Sequence, residues 1–170
     1  MSSLSYTLNL MRQYQKENGI KEQCITNTQT LYSILNNNKI DNVSAKAVFT
    51  LTNDIDNGIS ILCGGHIVVM IDGTIIEPSY DMFCRKEIYY FDNAKSLINS
   101  LSTEDREKNK GQFKKIFGDH IRFLEYEKKI NNGEFVICDR SYYNQQLDYV
   151  LKYNNKIVEI NKKKNKISPN

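Results

Sequence analysis

The sequence predicts an α+β fold in which helices pack on an antiparallel sheet. The segment 64–79, GGHIVVMIDGTIIEPS, joins two apolar runs through an Asp-Gly pair. This pattern is typical of a β-hairpin, because glycine tolerates the positive φ that a tight turn requires. Residues 24–35 instead carry apolar or small side chains at helical spacing. The chain therefore combines a helix with a sheet that follows it.

The first part of the chain predicts two helices. Leu4, Leu8 and Met11 fall on one face of an amphipathic N-terminal helix. A second helix begins at Cys24, after the break at Gly19, and a run of three asparagines at 36–38 ends it. The N-terminus lacks the pattern of a signal peptide, and no apolar run approaches the ~20 residues that span a bilayer. We therefore expect a cytoplasmic protein that does not contact the membrane.

Short apolar runs predict the strands of the sheet. They cover residues 45–53, 59–63, 66–71, 74–78 and 87–91. Glycines at 64 and 65 predict a bulge or a close backbone approach between the second and third runs. Most of the predicted strands therefore lie in the first half of the chain.

The second half of the chain predicts mainly helices. Asp92 is placed to cap a helix that extends to Leu101. A long charged helix is expected over residues 102–131 and ends at an Asn-Gly pair. A last strand at 134–138 and a helix near 141–153 complete the prediction.

The length and charge of the chain indicate one globular domain. A chain of 170 residues can bury one proper core. We expect a single domain over residues 1–155 and a basic, flexible tail over residues 156–170. Such a tail could touch phosphate or an anionic surface, but a net charge of +3 is too small to indicate nucleic-acid binding. The sequence does not indicate the oligomeric state.

Three residues have the chemistry of a nucleophilic site. The hairpin brings His66 close to Glu77, and a histidine held by a carboxylate is the base half of a catalytic triad. Cys24 lies in the first turn of its helix, where unpaired N–H groups and the helix dipole favour a thiolate. The other histidine, His120, belongs to an amphipathic stripe and is expected in the core.

The order of these residues resembles the transglutaminase-like branch of the papain-type cysteine enzymes. In that branch a helix opens with the nucleophilic cysteine, a strand reads His-x-x-Val-x-x-Asp-Gly, and the next strand ends in Asp-Pro-Thr or Asp-Pro-Ser. Here the strand runs from His66 to Gly73 and the motif becomes Glu77-Pro78-Ser79. The resemblance covers residues 20–82. Glutamate replaces the usual aspartate, and the aromatic residue common two positions after the histidine is missing.

This resemblance implies a papain/transglutaminase-like core, in which the N-terminal helix that bears Cys24 packs on an antiparallel sheet, with further helices at the C-terminus. It implies a cysteine peptidase or amidase that acts on a peptide or protein by acyl transfer. Hydrolysis is favoured over transfer to an amine, because a small chain leaves little room for an amine site. The implied triad is Cys24, His66 and Glu77.

Some roles at the site stay open in the sequence. Ser79 and Asp81 are alternatives to Glu77 as the third member of the triad. Gln23 and Asn18 are the candidate side-chain donors for an oxyanion.

Other functional classes are less well supported. A zinc site would use Cys63, His66 and Cys84, but structural zinc needs four ligands, so we expect no metal and no cofactor. Cys63 also ends an apolar run, where a buried thiol is typical. Four cysteines without a signal peptide predict free thiols in a reducing compartment. The main alternative is a catalytically degenerate member of the fold that serves as a scaffold or binds protein or nucleic acid.

Overall fold

The computed structural model describes residues 3–54, 59–85 and 87–167 and confirms the α+β class. A four-stranded antiparallel sheet has the order β3-β2-β1-β4. The elements in chain order are α1 (Ser3–Glu17), α2 (Cys24–Asn37), β1 (Val43–Asp54), β2 (Ile59–Ile71), β3 (Thr74–Ile76), α3 (Tyr80–Phe83), β4 (Ile88–Phe91), α4 (Ala94–Ser100), α5 (Thr103–Asn109), a 3-10 turn (Lys110–Gln112), α6 (Phe113–Asn131) and α7 (Arg140–Ile167). None of the helices within these residues has the length and apolar character that a membrane span requires.

β1 and β2 form the long central pair of the sheet. They are paired from Val43–Ile71 to Asp54–Ile59, with one irregularity near Thr52. The prediction of two separate strands at 59–63 and 66–71 is therefore wrong, since β2 is continuous through both glycines. Gly65 stays in register with Phe49, so there is no bulge at this point.

A close approach by α6 explains the glycine before His66. A Cβ atom on Gly65 would lie 3.2 Å from the Asp119 Cβ and the His120 backbone nitrogen. The predicted close approach is thus confirmed. It brings one side of α6 against the strand that carries the histidine.

The hairpin turn has the predicted chemistry. Asp72 and Gly73 have φ angles of 51° and 80°, which are positive as a two-residue hairpin requires. β3 ends at Ile76, two residues earlier than predicted. Pro78 has no N–H to donate to a sheet, so the chain leaves the ladder at Glu77.

The two predicted N-terminal helices are confirmed. Leu8 and Met11 of α1 are buried against Leu31 of α2 and Val150 of α7. Gly19, with φ 61°, follows the end of α1. A core between α1, α2, α7 and the sheet therefore fixes the helix that carries Cys24.

The second half of the chain departs from the prediction at three points. Asn93, and not Asp92, caps α4: its side chain accepts a hydrogen bond from the Ser96 backbone at 2.8 Å. The long helix predicted over 102–131 is divided by the 3-10 turn, although Ser102 caps its start and it ends at Asn131. Residues 134–138 are not a strand, because the Val136 N–H donates to the Gln29 side chain at 2.8 Å instead of joining a ladder.

The last helix is longer than expected. α7 contains the predicted helix near 141–153 and its backbone continues as a helix to Ile167. Most of the segment predicted as a basic tail, 156–170, is therefore helical in the structure. The side chains beyond Tyr153 lie outside the described residues.

Candidate active site

His66 and Glu77 form a buried pair. His66 Nε2 lies 2.7 Å from Glu77 Oε1 and 3.0 Å from Oε2. The two residues are only 4% and 6% exposed. The hairpin register explains the contact, because Ile76 pairs with Val69 and Glu77 therefore follows on the face of β2 that carries His66.

Cys24 lies on the other side of the imidazole. Cys24 and His66 line the same cleft, and the Cys24 side chain is one of the groups that raise the pKa of the imidazole. Since Nε2 faces Glu77, we infer that Nδ1 is the ring nitrogen available to the sulfur. The Thr28 hydroxyl, one turn further along α2, donates to the Ile67 carbonyl at 3.1 Å and ties the helix to β2 beside the histidine. The structure therefore brings together the three residues that the sequence singled out.

The start of α2 offers unpaired donors beside the thiol. Cys24 is the first residue of the helix, and Gln23 makes no side-chain capping bond. The first N–H groups of a helix have no intrahelical partners, and the helix dipole adds positive character to this end. A negative sulfur or a negative oxygen is favoured at such a position.

The surroundings of His66 favour its protonated form. Burial of the imidazole by itself lowers its pKa, but the Glu77 charge and the hydrogen bonds to Cys24 and Glu77 raise it. The balance places the pKa of His66 well above its ordinary value of 6.5. The contact with Glu77 thus favours the imidazolium form, which would present a positive charge to the thiol.

Glu77 is surrounded by further groups, of which Tyr90 and Arg12 were missed by sequence reasoning. The Tyr90 hydroxyl donates to Oε1 at 2.9 Å, and the Ser79 backbone donates to Oε2 at 3.2 Å. Arg12 donates to the Glu77 carbonyl oxygen at 2.8 Å, and its guanidinium lies 3.5 Å from the centre of the Phe83 ring. Tyr90 and Arg12 belong to distant parts of the chain, so no local pattern pointed to them.

A cleft of about 600 Å³ opens at the thiol and the imidazole. Cys24 and His66 both line it, whereas Glu77 lies behind the histidine. β2 contributes the stretch from Leu62 to His66 to the lining, and α6 contributes residues around Asp119. A ligand in this cleft could reach the sulfur, while the carboxylate stays away from solvent.

The two candidate oxyanion donors are placed differently. Gln23 lines the cleft, and its Oε1 accepts a hydrogen bond from the Thr26 hydroxyl at 3.2 Å, so its amide N–H groups are the part that can donate. Asn18 is exposed and is not part of the lining of the cleft. Its amide donates to the Tyr14 carbonyl at 2.8 Å. The geometry favours Gln23 over Asn18.

The alternatives to Glu77 have other partners. The Ser79 hydroxyl is fully buried and accepts a hydrogen bond from the Asn27 amide at 3.0 Å. Asp81 lines the cleft, and its carboxylate accepts from the Glu22 N–H at 3.1 Å. The geometry at His66 thus favours Glu77 as its carboxylate partner.

A buried polar network supports the segment that carries Glu77. The Gln15 amide of α1 donates to the Pro78 carbonyl at 2.8 Å, and its oxygen accepts from the Tyr80 N–H at 2.7 Å. The same amide donates to Gln146 of α7 at 2.8 Å. The Tyr142 hydroxyl of α7 donates to Asn27 of α2. Three helices therefore fix the loop behind the site, a feature that periodicity alone does not reveal.

The remaining histidine and cysteines take other positions. His120 is buried and stacks on Phe49, with ring centres 4.0 Å apart, as expected for a core residue. Burial lowers the pKa of His120. Cys63 is buried as predicted, Cys84 and Cys138 are exposed, and all four cysteines are free. Across residues 3–54, 59–85 and 87–167, no group of three or more His, Cys, Asp or Glu side chains is arranged to hold a metal ion.

Comparisons with known proteins do not add to this description. No family model, no curated protein and no solved structure matches the chain. The function of the site is therefore argued from its own geometry and chemistry.

Proposed function

We propose that this protein is a cysteine-nucleophile acyl transfer enzyme, a peptidase or amidase whose triad is Cys24, His66 and Glu77. One observation carries the proposal: a buried imidazole contacts a carboxylate, and the same imidazole lines a cleft together with the thiol at the start of α2. A buried histidine–carboxylate pair alone is often structural. The Cys24 thiol in the cleft beside this imidazole favours a catalytic role over a purely structural one.

In the first half of the reaction the Cys24 thiolate attacks the carbonyl carbon of an amide. The carbonyl π electrons move to oxygen, and a tetrahedral intermediate forms. As the intermediate collapses, the C–N bond breaks and the proton on His66 passes to the leaving amine. The products are a free amine and a thioester at Cys24.

In the second half a water molecule attacks the thioester. His66, now neutral, accepts a proton from the water, and the C–S bond breaks to release a carboxylic acid and the thiolate. Glu77 stabilises the imidazolium and keeps the ring oriented throughout. We favour water as the acceptor over an amine, because the cleft of about 600 Å³ has to hold the acyl part as well.

The oxyanion of each tetrahedral intermediate needs donors. The Cys24 backbone N–H at the start of α2 is one candidate, and the Gln23 side-chain amide in the cleft is the other. Donors that are fixed before the reaction stabilise a developing negative charge without reorganising.

A papain/transglutaminase-like core is part of the same proposal. Three features support it: the order of Cys24, His66 and Glu77, the helix that begins at the cysteine, and the antiparallel sheet that carries the histidine. The substrate class is a peptide or protein, and a cytoplasmic, reducing compartment would keep the nucleophile as a free thiol.

Acyl-enzyme formation from p-nitrophenyl acetate tests the proposal without knowledge of the natural substrate. The wild type should release a rapid burst of about one equivalent of p-nitrophenolate and gain one acetyl group at Cys24, read by peptide mass spectrometry. Cys24→Ser should lose the burst, and His66→Ala should slow it by about 100-fold or more. Cys138→Ala is the matched control, because it removes another thiol of the same cleft.

The opposite result would support the alternative that the site is vestigial. If acetyl groups distribute over Cys84 and Cys138 without preference for Cys24, the chain does not carry a working nucleophile. The fold would then act as a scaffold or binding module, and loss of His66 would leave its function unchanged.

A further inference from the structure

Tyr90 is placed to act on the site through Glu77. Its hydroxyl donates to Glu77 Oε1 at 2.9 Å, the same oxygen that lies 2.7 Å from His66 Nε2. Among the described residues, Tyr90 and His66 are the side chains that hydrogen-bond to this carboxylate. Arg12 also approaches Glu77, but it donates to the backbone carbonyl.

The sheet positions Tyr90 by register. β4 pairs with β1 so that Tyr90 stands opposite Thr50, while β2 places Gly64 opposite the same threonine from the other side. Residues opposite each other in a ladder share a face, so the Tyr90 ring lies on the face of the sheet that carries His66. The neighbouring Tyr89 points to the other face and is 54% exposed.

The Tyr90 phenol remains a neutral donor. Burial raises its pKa, and the Glu77 charge and hydrogen bond raise it further, against a smaller opposite effect of Arg12. The hydroxyl therefore keeps its proton and donates to the carboxylate throughout the pH range in which a cysteine enzyme works.

We infer that Tyr90 is a positioning residue of the site, which fixes the Glu77 carboxylate toward His66. This inference rests on the proposed function. A carboxylate with this donor cannot rotate away from the imidazole without losing the hydrogen bond. The charged and titratable groups around it are His66 and Arg12, with Cys24 beyond the histidine.

Removal of the hydroxyl should change the pH dependence of Cys24. Without it the Glu77 carboxylate can rotate away from His66, and the imidazolium that supports the thiolate is held less firmly. Hydrogen bonds to charged groups are strong enough to move such a transition by about one pH unit. If Tyr90 had a purely structural role, removing its hydroxyl would lower the stability of the protein but leave the pH dependence of Cys24 unchanged.

The experiment is the pH profile of iodoacetamide labelling at Cys24 in the wild type, Tyr90→Phe and Tyr89→Phe. In Tyr90→Phe the acid limb of the labelling rate should move up by about one pH unit. Tyr89→Phe is the matched control, since it removes the same group from the adjacent, exposed position, and its profile should overlay that of the wild type. Circular dichroism of each variant verifies the fold.

A double-mutant test keeps the inference falsifiable if Tyr90→Phe is poorly folded. In a Glu77→Gln background, a hydroxyl that acts through the carboxylate should have no further effect on the labelling rate. An unshifted acid limb in Tyr90→Phe, or an equal effect in both backgrounds, overturns the inference. If the wild type itself shows no fast, His66-dependent labelling, the proposed function fails instead, so the two failures are distinguishable.

Discussion

A single methyl group at Gly65 tests how α6 and the histidine strand are packed. In Gly65→Ala the new Cβ would lie 3.2 Å from the Asp119 Cβ, 3.2 Å from the His120 nitrogen and 3.3 Å from the Ile116 carbonyl oxygen. Two of these three atoms belong to the helix backbone and cannot rotate away. The helix or the strand has to move by a few tenths of an ångström.

The expected loss of stability in Gly65→Ala follows from two opposing effects. Replacing glycine by alanine in a strand gains about 0.5–1 kcal/mol from the smaller entropy of the unfolded chain. Overpacking in a dense interior costs about 1–3 kcal/mol, and here the backbone contacts place the cost toward the upper end. We expect the free energy of unfolding of Gly65→Ala to fall by about 1–2 kcal/mol, and the melting temperature by roughly 2–8 °C.

Gly64→Ala is the matched control for this prediction. There the new Cβ would meet only the Thr50 hydroxyl oxygen, at an ordinary 3.4 Å, so the variant should be unchanged or slightly more stable. Urea unfolding at neutral pH gives both free energies by linear extrapolation. If Gly65→Ala is as stable as Gly64→Ala, α6 does not pack against β2 in the manner described.

Three further predictions concern other parts of the structure. The pKa of His66 is raised in the folded state, so the stabilisation that its proton provides is complete below the ordinary pKa of 6.5 and is lost as the pH rises through the folded value. The difference in urea stability between wild type and His66→Gln should therefore shrink from neutral toward alkaline pH. A constant difference would contradict the charged pair of His66 and Glu77. Asn93→Ala should lower the free energy of unfolding by about 1 kcal/mol because it removes the N-cap of α4, whereas Asp92→Ala should be nearly neutral. Equal losses of stability in thermal melts would indicate that Asp92 caps the helix as well. Tyr142→Phe should lower the free energy of unfolding by about 1–3 kcal/mol, because the buried side-chain oxygens of Asn27 and Gln146 lose the hydroxyl that donates to them. A neutral effect in urea unfolding would show that the network is dispensable.

Local signals predicted the parts of the site that depend on neighbouring residues. The Asp-Gly pair fixed the hairpin, and the helical spacing after Gly19 placed the start of α2 at Cys24. The contact between His66 and Glu77 has a subtler origin. In the ladder Val69 pairs with Ile76, and the same register continued by one residue sets Glu77 opposite Val68, on the face that carries His66, so the two side chains are diagonal neighbours.

Contacts between distant parts of the chain could not be predicted in the same way. Tyr90 and Arg12 reach Glu77 from β4 and α1, and neither residue is distinguished by its sequence neighbours. The glycines in β2 suggested a break because glycine weakens an isolated strand, yet Gly65 is required by the approach of α6. Such requirements depend on how the helices pack on the sheet, which local sequence patterns do not reveal.

The proposed function depends on an activated pair of Cys24 thiolate and His66 imidazolium, and labelling of the native protein by iodoacetamide measures this pair. Rates at each cysteine are read by peptide mass spectrometry across pH, in wild type and in His66→Ala. Cys84 and Cys138 are more exposed than Cys24 and serve as internal references. We predict that Cys24 labels faster than both at and below neutral pH, and that His66→Ala removes this advantage. The proposed site would be contradicted if Cys24 labels no faster than the exposed thiols, or if its labelling rate is the same in His66→Ala as in the wild type.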